Sequence, residues 1–185
     1  MYILQKQLEK LKKLAVPGKV VVIYGARRTG KTTLLKEFLK NESKAHLMVS
    51  GEDITVHSYL SSQSVEKLTA FVGKAKLLVV DEAQKIPNIG LNLKLIVDHL
   101  SGIRIVVTGS SSFDLAHHTG EPLTGRKYTL KLFPLAQMEI GEIENIHQTE
   151  ANLENRLIYG SYPEVVLMQD NREREKYLKE IVSSY

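Results

Sequence analysis

Eight consecutive residues, Gly25 to Thr32, read Gly-Ala-Arg-Arg-Thr-Gly-Lys-Thr and fill the pattern G-x-x-x-x-G-K-[ST]. Such a loop works only where a strand delivers the chain and a helix begins directly behind it. The flanks supply both. Lys19 to Tyr24 is a short, β-branched apolar run, and Lys31 to Leu39 carries Leu34, Leu35, Phe38 and Leu39 at helical spacing. Free backbone N–H groups at the positive end of a helix bind a phosphate with little help from side chains. Gly25 and Gly30 let the chain wrap closely, while Ala26, Arg27, Arg28 and Thr29 contribute backbone. Lys31 would contact the β- and γ-phosphates as a point charge. The Thr32 hydroxyl is placed to ligate a Mg²⁺ ion bridging the same phosphates, with Thr33 behind it completing the cofactor-binding stretch.

A second element stands about fifty residues further on, a spacing that fits the phosphate-loop pattern. Val79-Val80-Asp81-Glu82 sets two carboxylates just beyond an apolar strand. Asp81 would orient the metal, directly or through a bound water. Glu82 would be the general base or water-orienting group for attack on a γ-phosphate. A third is Val106-Val107-Thr108-Gly109-Ser110-Ser111-Ser112, an apolar strand ending in hydroxyls. Carboxyl ends of parallel strands line the ligand crevice, so Ser110, or failing it Thr108, would hydrogen-bond the attacking water or the γ-phosphate. The same serines also suit an N-cap for a helix near Phe113 to His117. Arg126, at the start of the last strand, would reach a γ-phosphate in its own subunit or a neighbour's, the latter implying a homo-oligomer; its rival role is a surface salt bridge.

The chain's 185 residues suit one globular domain. No apolar run approaches the ~20 residues that span a bilayer, and the start lacks a signal peptide's apolar core, so the expectation is a soluble cytoplasmic protein with no membrane partner. The absence of cysteine excludes disulfides and a thiolate zinc site. Adjacent residues of a strand or helix point apart, which argues against a metal pair at His117-His118. The net charge of +4 is polarised: residues 1 to 19 hold five Lys and one Glu, residues 136 to 185 five basic and ten acidic side chains. Leu4, Leu8, Leu11 and Leu14 make the basic start an amphipathic helix with a solvated lysine face.

Strands and helices then alternate. Val16-Pro17-Gly18 stops the first helix. Strand candidates are Ala45 to Val49, Leu77 to Val80 and Ile103 to Val107, with helices from about Ser64 to Val72 and from Leu91 to Leu100. Residues 51 to 63 carry no clear signal. Arg126 to Phe133 alternates like an edge strand with one face covered, and Pro134 ends it. Helices are expected from about Thr149 to Tyr159 and from Arg172 to Val182, either side of a Gly160-Ser161-Tyr162-Pro163 turn. This order predicts an α/β fold with a parallel sheet between two helical layers. The expected organisation is an amphipathic helix over 1–17, a nucleotide-binding core over 18–140 and a helical segment over 141–185.

With these residues in place, the chain resembles the bacterial and archaeal AAA-type P-loop ATPases that join such a domain to a C-terminal nuclease-like domain. The resemblance rests on Gly-Ala-Arg-Arg-Thr-Gly-Lys-Thr-Thr-Leu-Leu (25–35), Val-Asp-Glu-Ala-Gln-Lys-Ile-Pro (80–87), Thr-Gly-Ser-Ser-Ser (108–112), Leu-Thr-Gly-Arg (123–126), Leu-Phe-Pro-Leu (132–135) and Tyr-Gly-Ser-Tyr-Pro-Glu-Val (159–165). It implies ATP as the nucleotide, dependence on Mg²⁺, and a five-stranded sheet ordered 5-1-4-3-2. It also implies a truncated chain, since members usually run well beyond this length. The function expected is ATP binding and hydrolysis that switches or drives a protein or DNA partner. The alternatives are a DNA-associated ATPase module, suggested by the basic first helix, and a phosphotransferase to a small acceptor.

Overall fold

The computed structural model describes residues 2–110 and 123–183. Five short strands form one wholly parallel sheet: β1 (Val20–Tyr24), β2 (His46–Ser50), β3 (Leu77–Asp81), β4 (Arg104–Gly109) and β5 (Lys127–Lys131). Their spatial order is β2-β3-β4-β1-β5, the expected 5-1-4-3-2 order read from the other edge. One strand, β4, therefore separates the phosphate-loop strand from the strand carrying Asp81.

The period of two along each strand sends alternate side chains to opposite faces, and both faces are apolar. Val20, Val22, Leu78, Val80, Ile105 and Val107 face one layer, made by α3 (Ile54–Leu60), α4 (Val65–Val72) and α5 (Ile89–His99). Val21, Ile23, Leu77, Val79 and Val106 face the other, made by α1 (Gln7–Leu14) and α2 (Lys31–Lys40). Val20 to Ile23 are fully buried, each aliphatic side chain contributing about 1.5–3 kcal/mol of transfer free energy. The strand before the phosphate loop is thereby held from both sides.

Several local readings shift. Leu4 is exposed, and the buried stripe of the first segment is Ile3, Leu8, Leu11 and Ala15. Residues 51 to 63 contain α3, whose N-cap Asp53 accepts a hydrogen bond from the Thr55 N–H at 2.9 Å. The expected helix over 149–159 is two: α7 (Ile146–Ala151), after the short α6 (Gln137–Ile140), and α8 (Leu153–Tyr159), broken at Asn152. Pro163 begins α9 (Pro163–Leu167), where its missing N–H has no cost. The last helix is α10 (Asn171–Ser183). Val165, Tyr177 and Ile181 pack α9 and α10 into one small body.

Candidate nucleotide site

Register places the site. Tyr24, Asp81 and Gly109 end their strands along one edge of the sheet, so the turns that follow them converge above β1, β3 and β4. The phosphate loop leaves β1 at Gly25, where an added Cβ would lie 2.5 Å from the Leu132 carbonyl oxygen. No side chain fits there. Arg28 and Gly30 adopt left-handed conformations at φ 62° and 95°, which curl the loop before α2 begins. The curl is pinned by Thr29 Oγ1 donating to Ala26 O at 2.9 Å and by Gln5 Nε2 donating to Thr29 O at 3.1 Å.

Lys31 is nearly fully buried, and its Nζ donates to the carbonyls of Gly25 (3.0 Å) and Ala26 (2.9 Å). The ammonium is thus held inside the cradle. Burial lowers its pKa, opposed by the nearby Glu82 and Asp81 carboxylates.

Facing the cradle, Thr32 Oγ1 donates to Asp81 Oδ2 at 2.6 Å. A hydroxyl and a carboxylate in contact are the few hard oxygen ligands that a phosphate-bound Mg²⁺ takes from protein, so the donor set fits that ion. Among the described residues no cluster of three or more His, Asp or Glu could hold a metal alone. The fully buried Thr108 hydroxyl donates to Asp81 Oδ1 and accepts from the Glu82 N–H at 2.9 Å. One hydroxyl therefore fixes both acidic residues. Its only donor is committed to Asp81, which leaves Thr108 no hydrogen to give a phosphate oxygen.

Glu82 itself is left-handed at φ 51°, an uncommon state for a residue with a side chain, and it starts the 3₁₀ turn Ala83–Lys85. Gln84 Nε2 donates to Glu82 Oε2 at 2.5 Å. Gly51 passes over this turn so closely that a Cβ would lie 2.3 Å from the Glu82 carbonyl oxygen.

These groups border a cleft of about 880 Å³, whose lining includes Arg27, Arg28, Gly30, Lys31, Thr32, Thr33, Glu82 and Ser110. The same lining includes an apolar group, Tyr2, Ile3, Leu135, Pro163 and Leu167. Arg28, expected to contribute backbone alone, also uses its side chain. Its guanidinium lies 4.8 Å from the Tyr177 ring centroid and 3.6 Å from the Glu164 carboxylate, tying the phosphate loop to α9 and α10.

Arg126 is not brought into the cleft. Its carbonyl accepts from Val20 N at 2.8 Å, level with the start of β1, and its Nε donates to Asp98 at 2.7 Å. That is the amino edge of the sheet, about 16 Å from the start of the phosphate loop at ~3.3 Å per strand residue. This register sets Arg126 away from the cleft of its own chain, and the salt bridge to Asp98 is the contact its side chain makes. Ser111, Ser112, the helix near Phe113 and His117-His118 lie outside the described residues.

A parallel sheet with this loop, this acidic pair and this strand order defines a P-loop nucleoside triphosphatase. The chain belongs to the AAA domain family, whose model matches residues 17–141, and is an AAA-type P-loop ATPase domain. An uncharacterised protein of Methanocaldococcus jannaschii is 28% identical over 179 residues, covering 89% of this chain and 40% of that protein. The chain thus spans about two fifths of that relative's length. Among solved structures, a Walker-type ATPase of Pyrococcus abyssi superposes with a TM-score of 0.58 at 14% identity, over 97% of this chain and 71% of that one. A signal transduction ATPase with numerous domains and a tetratricopeptide repeat sensor, from Pyrococcus horikoshii, gives 0.58 at 16% identity, over 100% of this chain and 32% of that one. Both share the fold.

Sequence reasoning missed Thr108 as a bridge, Gln84 as a partner of Glu82, and the close approach of Gly51. The first depends on which strand adjoins β3, which no local pattern records. The Gln-Lys-Ile-Pro block was a signal without a role.

Proposed function

We propose that this domain binds Mg-ATP in the cleft, hydrolyses it, and uses the change to switch a partner through its C-terminal helices. One observation carries the hydrolytic reading. A continuous hydrogen-bonded line runs from Thr32 through Asp81 and Thr108 to Glu82, beside the buried Lys31. It joins the cation-binding pair to the backbone of Glu82, the residue whose carboxylate would activate the water, and so fixes where that side chain starts. The loop amides and Lys31 bind the phosphates, and the apolar group of Ile3, Leu135, Pro163 and Leu167 receives the flat base. Mg²⁺, held by Thr32 and Asp81, would neutralise charge on the β- and γ-phosphates. The water oxygen bonds to the γ-phosphorus as the bond to the β,γ-bridging oxygen breaks, and Glu82 takes the water proton. ADP and phosphate leave.

Arg28 supports the switching part, because the loop that holds the phosphates also grips Glu164 and Tyr177. Site roles for Ser110 beside the γ-phosphate and for Arg126 across an oligomer interface belong to the same reading.

The test is phosphate release with Mg-ATP, with and without DNA, alongside nucleotide affinity. Lys31→Ala is expected to lose affinity, and Glu82→Gln to keep it while losing turnover by about 10²- to 10⁴-fold. Unchanged phosphate release in Glu82→Gln would remove the catalytic assignment. Stimulation by DNA that falls steeply with salt would move the reading to a DNA-associated machine.

A further inference from the structure

Glu82 and Gln84 sit two apart in a turn that the core holds rigidly: Ala83 is fully buried and Ile86 nearly so, both packed among α3, α4 and α5. The left-handed backbone at Glu82 and the tight turn behind it bring the two side chains together over the cleft that both line. A carboxylate only accepts hydrogen bonds, so the Gln84 amide must present its nitrogen to Glu82 Oε2, as it does. That orientation fixes the other end of the amide. Gln84 Oε1 is buried and has no hydrogen-bond partner among the described residues. Because that oxygen is sealed from solvent, it is the amide nitrogen, through Glu82, that acts on the site.

We propose that Gln84 is a positioning residue for hydrolysis, clamping the Glu82 carboxylate through its amide nitrogen so that the other carboxylate oxygen is held toward the attacking water. The inference rests on the hydrolytic reading above. With Oε2 occupied by Gln84, Oε1 of Glu82 is the oxygen that takes the transferred proton. The water oxygen forms the new bond to the γ-phosphorus, the β,γ-bridging oxygen departs with ADP, and the Gln84 amide stays on Glu82 Oε2 throughout. No proton moves to Gln84. Holding a reacting group in attack geometry is what such a clamp supplies, and small misplacements cost up to about a hundredfold in rate.

The decisive experiment is a double-mutant cycle on single-turnover hydrolysis of Mg-ATP, with Mg-ADP affinity and thermal midpoint measured for each protein. Gln84→Ala is expected to lower the rate about 10- to 100-fold with unchanged affinity and midpoint. Glu82→Gln and the Glu82→Gln, Gln84→Ala double variant are expected to be equally slow, since Gln84 has no carboxylate left to position. Additive losses would give Gln84 a separate role and overturn the proposal. So would a faster Gln84→Ala enzyme, which would make the contact a restraint, or one as fast as the parent. If Gln84→Ala is unstable, Gln84→Glu keeps the volume, replaces the donor with a second carboxylate, and is expected to be as slow. A parent protein that releases no phosphate, or a Glu82→Gln variant of full activity, would instead overturn the hydrolytic reading itself.

Discussion

At the scale of single residues, Thr108 bears the most for its size. Its hydroxyl is the partner of a buried carboxylate oxygen and of the Glu82 N–H. Thr108→Val keeps the shape and leaves both without a bond, which costs about 1–3 kcal/mol. Urea denaturation is expected to show that loss, and phosphate release to fall with it while ADP affinity changes less, because the phosphate cradle is untouched. Lys31 gives a pH signature. Its folded-state pKa lies below the ordinary 10.5 because burial disfavours the ammonium. Below the folded value, burial of the charge therefore costs stability, and that cost is relieved as pH rises through it toward the unfolded value. Nucleotide binding runs the other way, since the phosphates require the charge. The thermal stabilisation given by ADP is thus expected to shrink through Lys31's lowered pKa, at less alkaline pH than a solvated lysine would show. Thermal melts across that range, with and without ADP, measure both trends.

At the scale of elements, what was legible and what was not divide along the range of the interactions. β1, β3 and β4 are apolar on both faces, so their runs announce buried parallel strands, and the motifs at their ends announce the cleft. The helix α3 was hidden because its signals are few: an N-cap at Asp53 and two buried residues, Val56 and Leu60, one turn apart. The split between α7 and α8 was hidden for the opposite reason, a helical pattern that continues through Asn152 although the backbone does not. Arg28 was undervalued because its partners, Glu164 and Tyr177, lie more than a hundred positions away. The ion pair is exposed and worth little by itself, and the stacking adds about 0.5–1 kcal/mol. Together they tether two elements at one point. Arg28→Ala is therefore expected to raise amide hydrogen exchange in α9 and α10 while changing global stability by less than about 2 kcal/mol. Unaltered exchange there would mean that other contacts hold the helices.

At the scale of the whole molecule, the sheet and α1 to α5 make a three-layer body with its cleft at the carboxyl edge of the sheet and Arg126 at the amino edge. No helix among the described residues is long and apolar enough to cross a membrane. The two edges face opposite ways, which has a geometric outcome. A copy that offers its Arg126 to another copy's phosphates must present a different surface from the one it receives on, so the contact is head-to-tail and closes only as a ring or continues as a filament. Such a contact would have to break the Arg126–Asp98 pair first. Its kinetic mark would be a specific activity that climbs with enzyme concentration and is lost on dilution. Activity strictly proportional to concentration, with Arg126→Ala as fast as the parent, would leave each copy a self-sufficient catalyst with a polarity it never uses.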